Sequence, residues 1–197
     1  MKKELPKRKK IRLKDYDYSS AGYYFITICV EGGQHTLGHI VGAAPLRICF
    51  AYSCRGNRSS RPQMELSRQG NIVEAWIGKI RDKYPHIKVE SSVVMPNHVH
   101  MMLSIDSDEQ TGMDKRTAID RAIGYYKYQT TKEINQPGFW QRSFHDHIIR
   151  DEKSFLDKMQ YIEENPARWF EDEYNKAQFS GGRTQYTGGM TPPLHPN

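Results

Sequence analysis

The chain has 197 residues, 37% of them hydrophobic and 11% aromatic, with a net charge of +6. That is enough to bury the core of one domain, and it excludes a disordered polymer. No apolar run approaches the roughly 18 residues of a membrane span. The basic N-terminus "MKKELPKRKKIRLK" lacks the apolar stretch of a secretory signal, so the expectation is a cytoplasmic protein with no membrane partner. Cys29, Cys49 and Cys54, an odd set without Cys-x-x-Cys spacing, fit reduced thiols and show no zinc knuckle.

Residues 1–17 read as a basic arm, since eight of the first fourteen residues are Lys or Arg. Lys7, Arg8, Lys9, Lys10 and Arg12 are candidates for phosphate contacts, although a merely solubilising tail has the same composition. A domain is expected from 18 to 177. Its first strand is "YYFITICV", rich in β-branched and aromatic side chains. Residues 38–66 interrupt the pattern as a hairpin or loop insertion. Ile72, Val73, Trp76, Ile77 and Ile80 then recur at helical spacing and predict a helix over 67–84. "HIKVESSVVM" and "HVHMMLSI" read as two strands joined by a Pro96-Asn97 turn. Ile119, Ala122, Ile123 and Tyr126 lie on one stripe of a helix predicted over 114–134. "SFHDHIIR" is a short strand, and 151–164 another helix, stopped by Asn165-Pro166. Residues 178–197, rich in Gly, Pro and Thr, read as a flexible tail. The fold class is α+β: a ferredoxin-like β-α-β-β-α-β antiparallel sheet with helices on one face, followed by a C-terminal helix.

The chemistry concentrates in "VVMPNHVHMMLSID". Strand alternation puts His98, His100 and Met102 on one side and Val99, Met101, Leu103 and Ile105 on the other. The apolar set packs under the helices, leaving two imidazoles together on the open face, close enough to share a cation. The same spacing fits two half-exposed histidines without a ligand. A second pair, His145 and His147, is separated by Asp146, which anchors a strand less well than Val99. Asp146 and His147 are therefore read as structural or as support around the first pair. On the last helix Tyr161 and Asn165 share a face, so a phenol and an amide oxygen stand together. Tyr161, one of 12 tyrosines, also fits a packing role.

"MPNHVH" resembles the His-apolar-His motif of single-tyrosine HUH transposases. "FWQRSFHDHIIRDEKSFLDKMQYIEENPARW" resembles the C-terminal signature of REP-associated tyrosine transposases, and the likeness spans roughly residues 18–172. The resemblance implies a divalent cation, Mg or Mn, held by His98, His100 and Asn165, with Tyr161 as nucleophile on the C-terminal helix. Insertion-sequence relatives tend to carry glutamine where Asn165 stands. It further implies cutting of single-stranded or hairpin DNA through a 5′-phosphotyrosine, by a monomer or a homodimer. Tyr126, beside Tyr125 and Tyr128, is the alternative nucleophile. DNA contacts are expected from the arm and from Arg142 and Arg150, with Tyr23 or Trp140 as stacking platforms. Two other readings stay open: a catalytically silent hairpin-binding regulator of the same fold, and a metal-dependent nuclease that uses water.

Overall fold

A computed structural model of the protein describes residues 21–42, 62–106 and 117–176. The arm with Lys7, Arg8, Lys9, Lys10 and Arg12, the middle of the 38–66 insertion and the 178–197 tail lie outside the described residues. β1 (Gly22–Cys29) and β5 (His98–Ile105) form the centre of a four-stranded antiparallel sheet, flanked by β4 (Ile87–Val94) and β6 (His145–Ile149). The spatial order β4-β5-β1-β6, with antiparallel neighbours throughout, is the ferredoxin-like arrangement expected from the element order. The ends of the insertion pair with each other as β2 (Gly38–Val41) and β3 (Gln63–Leu66).

Local signals set the helix boundaries. Ser67 caps α1 (Arg68–Lys83) by accepting from the Gly70 N–H at 3.1 Å. Thr117 and Asp120 form a reciprocal capping box at the start of α2 (Ala118–Ile134). Asp151 caps α3 (Glu152–Arg168) through the Ser154 N–H. The main core lies between α1, α2 and one sheet face: Val73, Ile77, Ile80, Ile119, Ile123 and Tyr126 meet Tyr24, Ile26, Ile28, Val99, Met101 and Leu103. A second, smaller core fills the other face, where Phe25, Met102 and Ile149 pack under Ile162 of α3.

Two expectations are corrected here. The sheet face that carries the histidines is not open, because α3 and the chain after it lie across it; His98 is 0% and His100 1% exposed. And α3 is not stopped by Asn165-Pro166 but continues to Arg168. Pro166 sits in the last turn, where it forfeits one ladder bond, to the Ile162 carbonyl. Ile162, Asn165 and Trp169 form a continuous buried stripe that holds the backbone helical across it. β4 is an edge strand and carries a register shift between Val89 and Ser91. At this bulge Glu90 accepts from Ser104 at 2.7 Å and from Lys88 at 2.6 Å.

Gly70 allows α1 to approach the chain after β1. A Cβ there would lie 2.0 Å from the Leu37 carbonyl oxygen, whereas nothing comes within 4 Å of one at Gly78. Gly70→Ala is therefore expected to lower the unfolding free energy by about 1–3 kcal/mol in urea titrations. Gly78→Ala on the same helix should raise it by up to about 1 kcal/mol.

Candidate active site

β1 and β5 pair so that Thr27 lies opposite His100, Cys29 opposite His98 and Phe25 opposite Met102. Opposed residues share a face, so this register brings Thr27 and Phe25 to the histidines. The His98 and His100 Nε2 atoms are 3.0 Å apart. Two nitrogens held at right angles about 2.1 Å from one cation would have that separation.

The protonation of the pair follows from its neighbours. The Asn97 Nδ2 donates to the Gly33 carbonyl at 3.1 Å and to the Tyr174 carbonyl at 2.9 Å. Its Oδ1 is thereby turned to His98 Nδ1 at 2.8 Å and must accept, so His98 carries its proton on Nδ1 and Nε2 is bare. His100 Nε2 then donates to His98, and the Thr27 hydroxyl donates to His100 Nδ1 at 2.8 Å. Burial is the first cause that keeps both rings neutral. It lowers the His98 pKa to about 3, with His35 adding to the shift. The His100 pKa is held well below its ordinary value by burial, then by His98 and Lys158. Neutral imidazole is the form that ligates a cation.

α3 brings Tyr161 to this pair. Its half-buried ring lies 5.3 Å from that of His100, edge-on, and 6.0 Å from Phe25. One turn further, Asn165 is fully buried, and neither atom of its side-chain amide has a hydrogen-bond partner. Tyr161 on one side of Asn165 leans on His100, and Trp169 on the other lies 6.0 Å from His98. Helical spacing thus puts Asn165 on the same face as the two rings that meet the histidines. An amide oxygen buried without a donor is costly unless something else ligates it. Among the described residues no group of three or more His, Cys, Asp or Glu gathers around a common point.

The remaining sequence candidates separate. Tyr126 is buried on the opposite face, its hydroxyl donates to the Val73 carbonyl at 3.0 Å, and burial raises its pKa; the sheet stands between it and the histidines. Asp146 pairs with Ile26 and so faces the α1–α2 side, which puts it out of reach of the pair, whose Nδ1 partners are Asn97 and Thr27. His147 pairs with Phe25, is exposed on the histidine face, and has its pKa lowered by partial burial, Lys158 and Arg150. Arg142 and Arg150 are exposed at the two ends of β6. Trp140 is a core residue, its Nε1 donating to Thr130 at 2.8 Å, while Tyr23 is 42% exposed against Phe155. Thr27, Asn97, Trp169 and Tyr174 were not legible as site residues. Asn97 reads as a turn former, and Thr27 meets His100 only through strand pairing.

No protein-family model matches the chain. An uncharacterized protein of Haemophilus influenzae is 29% identical over 184 residues, covering 84% of this chain and 92% of that one. A second protein of that organism, named "Putative REP-associated tyrosine transposase", is 28% identical over 121 residues, covering 51% of this chain and 65% of that one. A solved structure of a REP-associated tyrosine transposase bound to a REP hairpin superposes with a TM-score of 0.51 at 21% identity, over 80% of this chain and 73% of that one. The fold is thus a ferredoxin-like sheet with a further helix across its second face. More narrowly, it is the fold of the REP-associated tyrosine transposase.

The depressed histidine pKa values carry a sign for stability. An unfolded histidine protonates near 6.5, whereas the folded pair stays neutral to about 3 for His98, so on acidification the unfolded chain takes up protons that the folded chain does not. Stability is fully present above pH 6.5 and should fall as pH drops through that value towards 3, by up to about 1.4 kcal/mol per pH unit for each of the two rings. Denaturant titrations between pH 4 and 8 on wild type and a His98→Gln/His100→Gln variant would measure the difference.

Proposed function

We propose that the chain is a metal-dependent single-stranded DNA endonuclease and strand transferase of the REP-associated tyrosine transposase kind, cutting near hairpins through a covalent 5′-phosphotyrosine. The observation that carries this reading is the meeting of Tyr161 with two buried, neutral histidines, beside a buried, unsatisfied Asn165 one helical turn on. A binding module does not require those four groups together. The superposing transposase is bound to a REP hairpin, which supports hairpin DNA as the substrate class.

His98, His100 and the Asn165 amide oxygen suit a divalent cation, Mg or Mn, in nitrogen and oxygen content and in the 3.0 Å spacing of the imidazole nitrogens. When bound, it would withdraw charge from the scissile phosphate and favour ionisation of a nearby phenol. For both Nε2 atoms to ligate, His100 moves its proton to Nδ1 and the Thr27 hydroxyl turns to accept it, with no net proton gained or lost. Tyr161 Oη attacks the phosphorus and the bond to the 3′ oxygen breaks. The strand end leaves as a 3′-hydroxyl, taking up a proton equivalent to the one the phenol gave up. The phosphodiester energy stays in the tyrosine ester, so another 3′-hydroxyl can reverse the step. Lys7, Arg8, Lys9, Lys10 and Arg12 of the arm, with Arg142 and Arg150, would contribute sequence-independent phosphate contacts.

Incubation with a pool of single-stranded hairpin oligonucleotides and Mg or Mn, followed by denaturing electrophoresis, tests the reading. A metal-dependent covalent adduct is expected, lost in Tyr161→Phe and in His98→Ala/His100→Ala and kept in a folded Tyr126→Phe. Cleavage without adduct would instead indicate a water nucleophile, and binding without cleavage a regulator. Thr27→Val, which removes the hydroxyl that orients His100, is expected to weaken Mn binding about 10- to 100-fold by calorimetry.

A further inference from the structure

Lys158 stands three residues before Tyr161 on α3 and so on the same helix face. Its Nζ lies 4.9 Å from the Phe25 ring centroid and 5.6 Å from that of Tyr161. The residue is half-buried, and among the described residues no carboxylate comes within ion-pair distance of it. The adjacent Asp157 is engaged by Lys153 at 3.3 Å. Its other neighbours are neutral or cationic: His100 and His147 both feel its charge, and His147 feels that of Arg150 as well.

A half-buried ammonium that meets two aromatic rings and, among the described residues, no ion-paired carboxylate is an expensive arrangement. The ring faces recover part of the cost. Burial lowers its pKa from the ordinary lysine value, with Asp157 pulling the other way. The sheet shows where this charge lies. His100, Thr27 and His145 form one row across β5, β1 and β6, and Met102, Phe25 and His147 form the next. Lys158 lies over the second row, His100 lies in the first with His98 beyond it opposite Cys29, and Tyr161 reaches both rows through Phe25 and His100. An anion at the phenol would therefore lie between the place where His98, His100 and Asn165 would hold a cation and the ammonium of Lys158.

We infer that Lys158 binds a non-bridging oxygen of the phosphate that Tyr161 attacks, with His147 and Arg150 beside the adjoining DNA backbone. The inference rests on the transposase reading and adds to it a positive charge borne by the protein itself. In a site with little water, a preplaced cation stabilises the charge that builds on the phosphate oxygens without reorganising. Lys158 is recognisable only from the helix register relative to Tyr161, and no short motif announces it.

The test uses the full chain as wild type, Lys158→Gln and Lys158→Arg. Binding of a fluorescein-labelled single-stranded hairpin pool would be followed against NaCl concentration, beside the rate of adduct formation. In Lys158→Gln the slope of log K against log salt should shrink by about 0.7, the contribution of one phosphate on a single strand. Adduct formation should slow about 100-fold in Lys158→Gln and less than about 10-fold in Lys158→Arg. The rise in melting temperature with Mn should be the same in all three, showing an intact histidine end. An unchanged salt slope in Lys158→Gln overturns the inference. So does a reduced slope with an unchanged adduct rate, which would move the contact to a different phosphate, or a lost Mn response, which would make Lys158 a support of the fold. If wild type forms no adduct with any hairpin, it is the transposase reading that fails, and the salt slope still decides whether Lys158 meets a phosphate.

Discussion

The pairing register of β1 against β5 is the constraint on which the rest depends. With Thr27 opposite His100 and Cys29 opposite His98, both imidazoles fall on the α3 side and every apolar residue between them falls on the other. A slip of one residue would exchange the faces, sending the imidazoles into the main core and Val99 and Met101 to α3. β5 is buried along its whole length on both sides, so the slipped strand would have no water-facing refuge for its polar groups. The two cores divide the strand between them: the large one holds Val99, Met101 and Leu103, and the small one holds Met102.

Within that frame Asn97 acts as a tie between four parts of the chain. It belongs to the turn between β4 and β5, it donates to the loop after β1 at Gly33 and to the segment after α3 at Tyr174, and it accepts from His98. One amide thus couples the ring orientation of His98 to the docking of the residues that roof it. Because the surroundings are dry, the choice of tautomer is made by hydrogen-bond geometry rather than by pH. Trp169 and Tyr174, both leaning on His98, complete an aromatic lining that leaves the Nε2 atoms facing each other.

Much of this was legible from residue patterns, with the limits of local reasoning showing at identifiable places. Period-two alternation located β5 over the residues it occupies, and helical spacing placed α1 to within a residue at each end. The element order sufficed for the sheet topology. The proline rule misplaced the end of α3, because it weighs a lost hydrogen bond and a strained neighbour but not the packing of Ile162, Asn165 and Trp169 across the break. Expecting an exposed histidine face failed for a related reason: whether a helix folds back over a sheet is a long-range matter, and nothing near residue 98 announces Tyr174. The competing tyrosines were separated only by their faces, since Tyr126 and Tyr161 sit on similar amphipathic helices, and the sheet between them is what tells them apart.

The bulge in β4 has a bearing of another kind. A four-stranded open sheet ends in two strands whose outer peptide groups have no neighbour, and such borders invite identical molecules to stack side by side. At Val89–Ser91 the ladder loses its regular step, and Glu90 brings a carboxylate, bonded to Ser104 and Lys88, into the border. A second copy arriving along that strand would meet a kinked template and an acid already committed to its own hydroxyl and ammonium. Such an irregularity disfavours growth of the sheet by edge-to-edge pairing along this strand.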